Sequence, residues 1–244
     1  MILDPFPIVE DPKISEETIM EQATNYLQFP IHLVRLSAEQ PLVLKQAIGL
    51  RGYYGAAYGH NPKMSEFFEA SRAYRYPRLQ YKVVDGQGLI LGFAEAAAVL
   101  SALPYPELLH LGHQDLAVAE AWSQSWEGRW GLAPQERAYG WLTPWLILDE
   151  TGLAKYFRLR SAHSQTYFLE SLLISNLLAI SKEIGYHPPA QIEARIIKLR
   201  SVTLDIQGRP TLGFDGVFTA NLEIPDYFGL GRAASRGYGT VRSL

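Results

Sequence analysis

Arg78-Leu79-Gln80-Tyr81-Lys82-Val83-Val84-Asp85-Gly86, followed by Leu89-Ile90-Leu91-Gly92-Phe93, reads as two strands joined by a tight turn. Asp-Gly between β-branched and apolar runs is a strong hairpin signal, because both residues tolerate the positive φ of a two-residue connection. Downstream, Ala94 to Leu103 has a helical composition, and Glu107 to Val118 and Ala121 to Trp130 look like further strands. Upstream, Ile31-His32-Leu33-Val34-Arg35-Leu36 alternates as a strand does, and Pro41 opens a helix whose apolar face runs to about Arg51. Residues 52 to 71 are rich in Gly and Tyr, contain Asn-Pro and lack a clean period, which predicts a long irregular segment. The half reads βαββαβ, the ferredoxin-like pattern that RNA-recognition modules also use.

The second half gives a similar alternation. Tyr139 to Leu148 is a strand kinked at Pro144, and Gln165 to Glu183 is a helix with a broad apolar face, ended by Gly185 and Pro188-Pro189. Ile192 to Leu199, Val202 to Ile206 and Thr211 to Leu222 read as strands, with a turn at Gln207 to Pro210 and a last short strand from Ser235 to Val241. The expected fold is α+β: two tandem ferredoxin-like domains, residues 30–135 and 136–244, around a central cleft that can hold an extended polymer. Residues 1–29 read as an acidic N-terminal extension. In it Ser15-Glu16-Glu17-Thr18 caps a short helix running to about Leu27 and ended by Pro30.

Composition narrows the function. A chain of 244 residues with 48% hydrophobic content can bury a core unaided. The absence of cysteine excludes a disulfide framework, a thiol nucleophile and a thiolate zinc site. No apolar run approaches about 18 residues and no signal region opens the chain, so a soluble, cytoplasmic protein without a membrane partner is expected. The net charge of -3 conceals an uneven distribution: residues 1–22 carry six acids against Lys13 alone, so the remainder is slightly basic. Two windows are basic without an acid, one with Arg72, Arg75, Arg78 and Lys82 and one with Arg232, Arg236 and Arg242. The second includes Gly229-Leu230-Gly231-Arg232-Ala233-Ala234-Ser235-Arg236-Gly237-Tyr238-Gly239. Such a run can turn successive N–H groups toward an anion while its arginines neutralise charge, or it can be a glycine-rich turn between strands. It matches neither a dinucleotide fingerprint nor a Walker loop.

The order of motifs resembles a known family. Leu50-Arg51-Gly52-Tyr53-Tyr54-Gly55, Tyr76-Pro77-Arg78-Leu79-Gln80-Tyr81-Lys82-Val83, Gly92-Phe93-Ala94-Glu95, Thr143-Pro144-Trp145-Leu146, Ser175-Asn176-Leu177-Leu178, Gly213-Phe214-Asp215-Gly216-Val217-Phe218 and the glycine-rich segment are similar to CRISPR-associated endoribonucleases of the RAMP superfamily, the sixth Cas family. The likeness runs from about residue 31 to 242. It implies a protein that binds the repeat of precursor CRISPR RNA and cuts it without metal or cofactor. Other CRISPR-associated proteins or a second copy of the chain are further partners that it implies. RNA contacts are expected from Arg51, Arg72, Arg75, Lys82, Gly229, Gly231, Arg232, Ser235, Arg236, Gly237 and Tyr238.

The chain departs from the family where chemistry is expected. Relatives place one or two histidines where this sequence reads Lys63-Met64-Ser65-Glu66-Phe67-Phe68. His60 lies just upstream: it is either the acid or base, with Tyr58 or Lys63 sharing the work, or a loop histidine without a role. A non-catalytic RNA-binding RAMP subunit is the alternative, and a ferredoxin-like module without RNA a distant third. His110 and His113, three apart on an expected strand, point to opposite faces and do not suggest a metal pair. His32, His163 and His187 read as packing, cap or surface residues. Trp122, Trp126 and Trp130 read as core or interface before base stacking.

Overall fold

The computed structural model describes residues 26–72 and 75–244, with side chains described outside 68–74. The strands are β1 (Tyr26–Ala38), β2 (Leu79–Val84), β3 (Gln87–Phe93), β4 (Leu108–Leu111), β5 (Gln114–Trp141), β6 (Ala194–Ile206), β7 (Arg209–Glu223) and β8 (Val241–Ser243). The helices are α1 (Ala47–Tyr58), α2 (Pro62–Arg72), α3 (Glu95–Ser101), α4 (Glu150–Arg158) and α5 (Ala162–Ile184).

All eight strands join one antiparallel sheet with the path β2-β3-β1-β5-β7-β6, and β4 and β8 also pair with β5. The 28-residue β5 serves both halves. Its first part lies along β1, from Val118 opposite Ala38 to Gly131 opposite Tyr26. Its last part pairs with β7 and with β8. Within the first half the order is β5-β1-β3-β2, and within the second β8-β5-β7-β6. Taken by position in each half, both are 4-1-3-2, so the two halves are tandem ferredoxin-like units. The division expected between residues 135 and 136 falls inside β5, near Pro134, where the pairing with β7 shifts register between Leu132 and Arg137. Proline is tolerated there because the ladder is interrupted. Where the first half has α3 between its third and fourth strands, the second has the glycine-rich segment, with a single 3₁₀ turn at Ala234–Arg236.

Strand alternation sorts the first half's side chains onto two covered faces. Val34, Leu36, Tyr81, Val83 and Ile90 lie with Leu50 and Tyr54 of α1 and Leu100 of α3. Ile31, Leu33, Leu89, Leu91 and Phe93 turn the other way and pack with Trp130, Phe228 and Leu230. Phe228 is the hub: its ring centroid lies 4.8 Å from Phe93, 6.0 Å from Phe29, 6.0 Å from Trp130 and 6.2 Å from Tyr76.

The structure corrects several expectations. Residues 52–71 are not irregular: α1 extends to Tyr58 and α2 follows, with Asn61 Oδ1 accepting the Lys63 amide at 3.0 Å and Pro62 as the first helical residue. Glycines at 49, 52 and 55 dilute the apolar period of α1; at Gly49 close packing is the reason, a Cβ there standing 3.2 Å from Leu111 Cβ, whereas one at Gly52 would meet open space. The expected N-terminal helix falls outside the described residues up to 25, and Tyr26 and Leu27 belong to β1. Pro30 therefore ends no helix; it sits within β1, and its carbonyl accepts the Ala94 amide at 2.9 Å. The turn expected after Val118 is at Gly112-His113, the two expected strands 192–199 and 202–206 are one, and residues 235–240 precede β8. The hairpin is as expected, with Asp85 and Gly86 at φ of 51° and 79°. No helix among the described residues is long and apolar enough to cross a membrane.

Replacing Phe228 with Ala is expected to lower the unfolding free energy by about 3–5 kcal/mol. The denaturant midpoint checks this, and it should fall in a single transition, because the ring is packed from both halves.

Candidate functional site

The glycine-rich segment is seated by hydrogen bonds from both halves. Gly229 N–H donates to Gln80 Oε1 at 2.9 Å, and Tyr76 O–H donates to the Gly229 carbonyl at 2.9 Å. Gly231 N–H donates to Asn176 Oδ1 on α5 at 2.9 Å, Arg232 N–H to the Leu146 carbonyl at 2.8 Å and Gly239 N–H to the Pro144 carbonyl at 2.9 Å. Thr240 N–H donates to Thr143 Oγ1 at 2.9 Å. Gly237, at φ +90°, passes so close to α1 that a Cβ would stand 2.7 Å from Ala47 Cβ. Glycine is needed here chiefly for positive φ and close packing. The amides of Ala233, Ala234 and Ser235 stand outside this set.

Four of the residues expected to face RNA therefore hold the fold instead. Gly229, Gly237 and Tyr238 are buried. Lys82 is fully buried, and its Nζ donates to Gln80 Oε1 at 2.7 Å, while Gln80 Nε2 donates to the Pro77 carbonyl at 3.0 Å. Burial pulls its pKa from 10.5 to about 7. Lys82 and Gln80 share one face of β2, toward the second half, so the lysine props the side chain that holds Gly229.

The remaining basic residues converge. A cavity of about 850 Å³ is lined by Arg51 of α1, by Arg75 and Tyr76 before β2, and by Gly231, Arg232, Ser235 and Arg236 of the glycine-rich segment. Arg75 and Arg232 are exposed and the others half-buried. Arg232 is braced by donating to the Leu148 carbonyl at 2.9 Å. Arg72 ends α2, and its side chain lies outside the described set. Sequence reasoning missed Asn176, Tyr76 and Gln80 as site-building residues. The signal for Asn176 was a carboxamide inside the apolar run Leu172 to Ile180, where only a partner justifies it.

The expected catalytic residues sit at and beyond the C-terminal end of α1. Tyr58 closes α1, His60 is exposed in the turn before α2, and Lys63 is exposed in its first turn. Tyr58 O–H donates to the Pro104 carbonyl at 3.3 Å, and burial raises its pKa. Arg51 and Tyr58 are seven residues apart, hence on one face of α1 and about 10 Å apart along its axis. The cavity and the turn are thus two ends of one helix face.

The other histidines stand where packing or surface roles put them. His32 is buried, with Nδ1 2.7 Å from Ser125 Oγ, and burial lowers its pKa. His110 Nδ1 lies 2.7 Å from Asp115 Oδ1 on the β4–β5 hairpin. No group of three metal-ligating side chains occurs among the described residues. Trp130 is core, its Nε1 donating to Ser181 Oγ at 2.9 Å, whereas Trp122 is 39% exposed beneath the Arg35 guanidinium.

Family models described as the Cas6b N-terminal and C-terminal domains match residues 28–124 and 131–244. The chain is 31% identical over 111 residues to the uncharacterized protein MJ0978 of Methanocaldococcus jannaschii, covering 46% of this chain and 75% of that protein. Among solved structures, a crystal structure of Cas6b aligns with TM-score 0.78 at 25% identity, covering 89% of this chain and all of the other. One of the CRISPR RNA processing endoribonuclease Cas6b aligns with TM-score 0.68 at 26% identity, covering 88% and 100%.

Lys82 makes the site's framework sensitive to pH. Between pH 7 and 10.5 the unfolded chain binds a proton on this amine that the folded chain releases, so stability rises with pH from about 7. Near pH 10 the raised phenol pKa values of Tyr54, Tyr76 and Tyr81 act in the opposite sense. The urea midpoint of the wild type is expected to climb between pH 7 and about 9, and that of Lys82→Met to stay flat over the same range.

Proposed function

Because the chain belongs to the Cas6b family, we propose that it is an endoribonuclease of CRISPR RNA maturation, binding the repeat of the precursor transcript and cutting it without metal. The observation that carries this reading is the cavity in which Arg51, Arg75, Arg232 and Arg236 converge from three separated segments of the chain. Arginine suits phosphate because its planar fork bonds two oxygens at once. RNA held there by its backbone reaches, along the face of α1 from Arg51 to Tyr58, the turn that carries His60.

At that turn the chemistry needs a 2′-hydroxyl, its adjacent phosphorus and two proton-handling groups. One group takes the proton of the 2′-hydroxyl as its oxygen bonds phosphorus, and the other gives a proton to the 5′-oxygen as its bond to phosphorus breaks. The products are a 2′,3′-cyclic phosphate and a 5′-hydroxyl. His60 is the proposed acid or base, with the Tyr58 hydroxyl or the Lys63 ammonium sharing the work. A second reading, an RNA-holding subunit without cleavage, is favoured by one fact: the exposed His60 ring makes no hydrogen bond among the described residues that would orient it.

Incubating the protein in EDTA with end-labelled repeat RNA from its own genome tests both. Discrete cleavage with cyclic phosphate ends, lost in His60→Ala, is expected; tight binding without cleavage supports the second reading. Arg232→Ala with Arg236→Ala is expected to weaken binding and to flatten the log-log salt dependence by about 0.7 to 0.9 for each phosphate left without its arginine. An unchanged slope measured by filter binding moves the RNA site elsewhere.

A further inference from the structure

The arginine-lined cavity contains one acid. Asn176, Ala179, Ile180 and Glu183, spaced three, one and three residues apart on α5, form the strip of that helix which faces the cavity. Asn176 is tied through Oδ1 to Gly231. Glu183 is exposed, and none of the ion pairs or hydrogen bonds among the described residues involves it. A carboxylate on the path of a polyanion weakens binding of every sequence alike unless it meets donors. Phosphates offer it none. Bases do, and their edges differ.

We propose that Glu183 is a specificity-determining residue that accepts the Watson–Crick edge of an unpaired guanine, an inference that rests on the cavity being the RNA site. The guanine edge presents N1–H and N2–H side by side, which match the two carboxylate oxygens. Adenine, cytosine and uracil each turn a lone pair toward one of those oxygens. The surroundings suit a base: Ala179 leaves a one-turn gap between Asn176 and Glu183, and Ile180, Leu146 and Ile147 form an apolar wall for the ring face. Arg75 and Arg232 remain for the flanking phosphates.

The test is equilibrium binding of the repeat RNA with each unpaired guanine replaced in turn by adenine or inosine, using wild type, Glu183→Gln and Glu183→Ala. In the wild type one guanine should be sensed, its replacement by adenine costing roughly tenfold or more in affinity. Glu183→Gln and Glu183→Ala should lose that discrimination while binding the adenine-substituted RNA at least as tightly as the wild type. The proposal is overturned if wild type senses no guanine, or if Glu183→Gln discriminates as before. If Arg232→Ala with Arg236→Ala leaves the affinity unchanged, the failure lies in placing RNA in this cavity.

Discussion

The peptide of Gly229 is held at both its polar atoms by the opposite half of the chain: its N–H by Gln80, its carbonyl by Tyr76. Buried backbone groups of this kind must be paired, and leaving either unpaired costs on the order of 1–3 kcal/mol. With that peptide fixed, the chain rises through Leu230, turns at Gly231 under Asn176, and delivers Arg232, Ser235 and Arg236 to the cavity opposite Arg51 and Arg75. The basic surface is therefore an interface property. Arg51 and Arg75 come from the first half and Arg232 and Arg236 from the second, and they meet because the two ferredoxin-like units share a sheet and hold the glycine-rich segment between them.

Lys82 gives this arrangement a chemical character that surface lysines lack. Its amine lies beneath the segment and is linked to Gln80, and burial makes it give up its proton near neutral pH. It sets the geometry of Gln80 from within the fold. Arg75 and Arg232, by contrast, are exposed, and Arg232 keeps one anchor on the Leu148 carbonyl.

Much of the fold was legible because local chemistry and tertiary role agree. Asp85-Gly86 takes the positive φ its sequence implies, and Gly185 caps α5 in the left-handed region at φ 89°. Where they diverge, the sequence misleads. The run from Gly52 to Ser71 looks irregular since Gly52, Gly55 and Gly59 carry no side chain to mark a helical face, although Asn61-Pro62 already spelled a helix start. Asp149 likewise caps α4, its Oδ1 accepting the Gly152 amide at 2.7 Å, a signal too short to weigh alone. Lys82 alternates with Tyr81 and Val83, which ordinarily places it in solvent; here the second half covers that face. Of the candidate site, the arginines were legible from charge, but their convergence with Asn176 and Glu183 was not, because it depends on which helix face turns to the cleft.

The strand β5 has a consequence for how such a molecule can be divided. A duplicated fold ordinarily offers a linker at which it may be cut into two working modules. Here the seam is a continuous strand that is fourth in one unit and first in the next, so any cut through it leaves each piece with an unpaired edge and an uncovered apolar face. The two halves are inseparable in the way that pages sharing a spine are, and a change in length is tolerated best between Leu132 and Arg137, where the register already shifts.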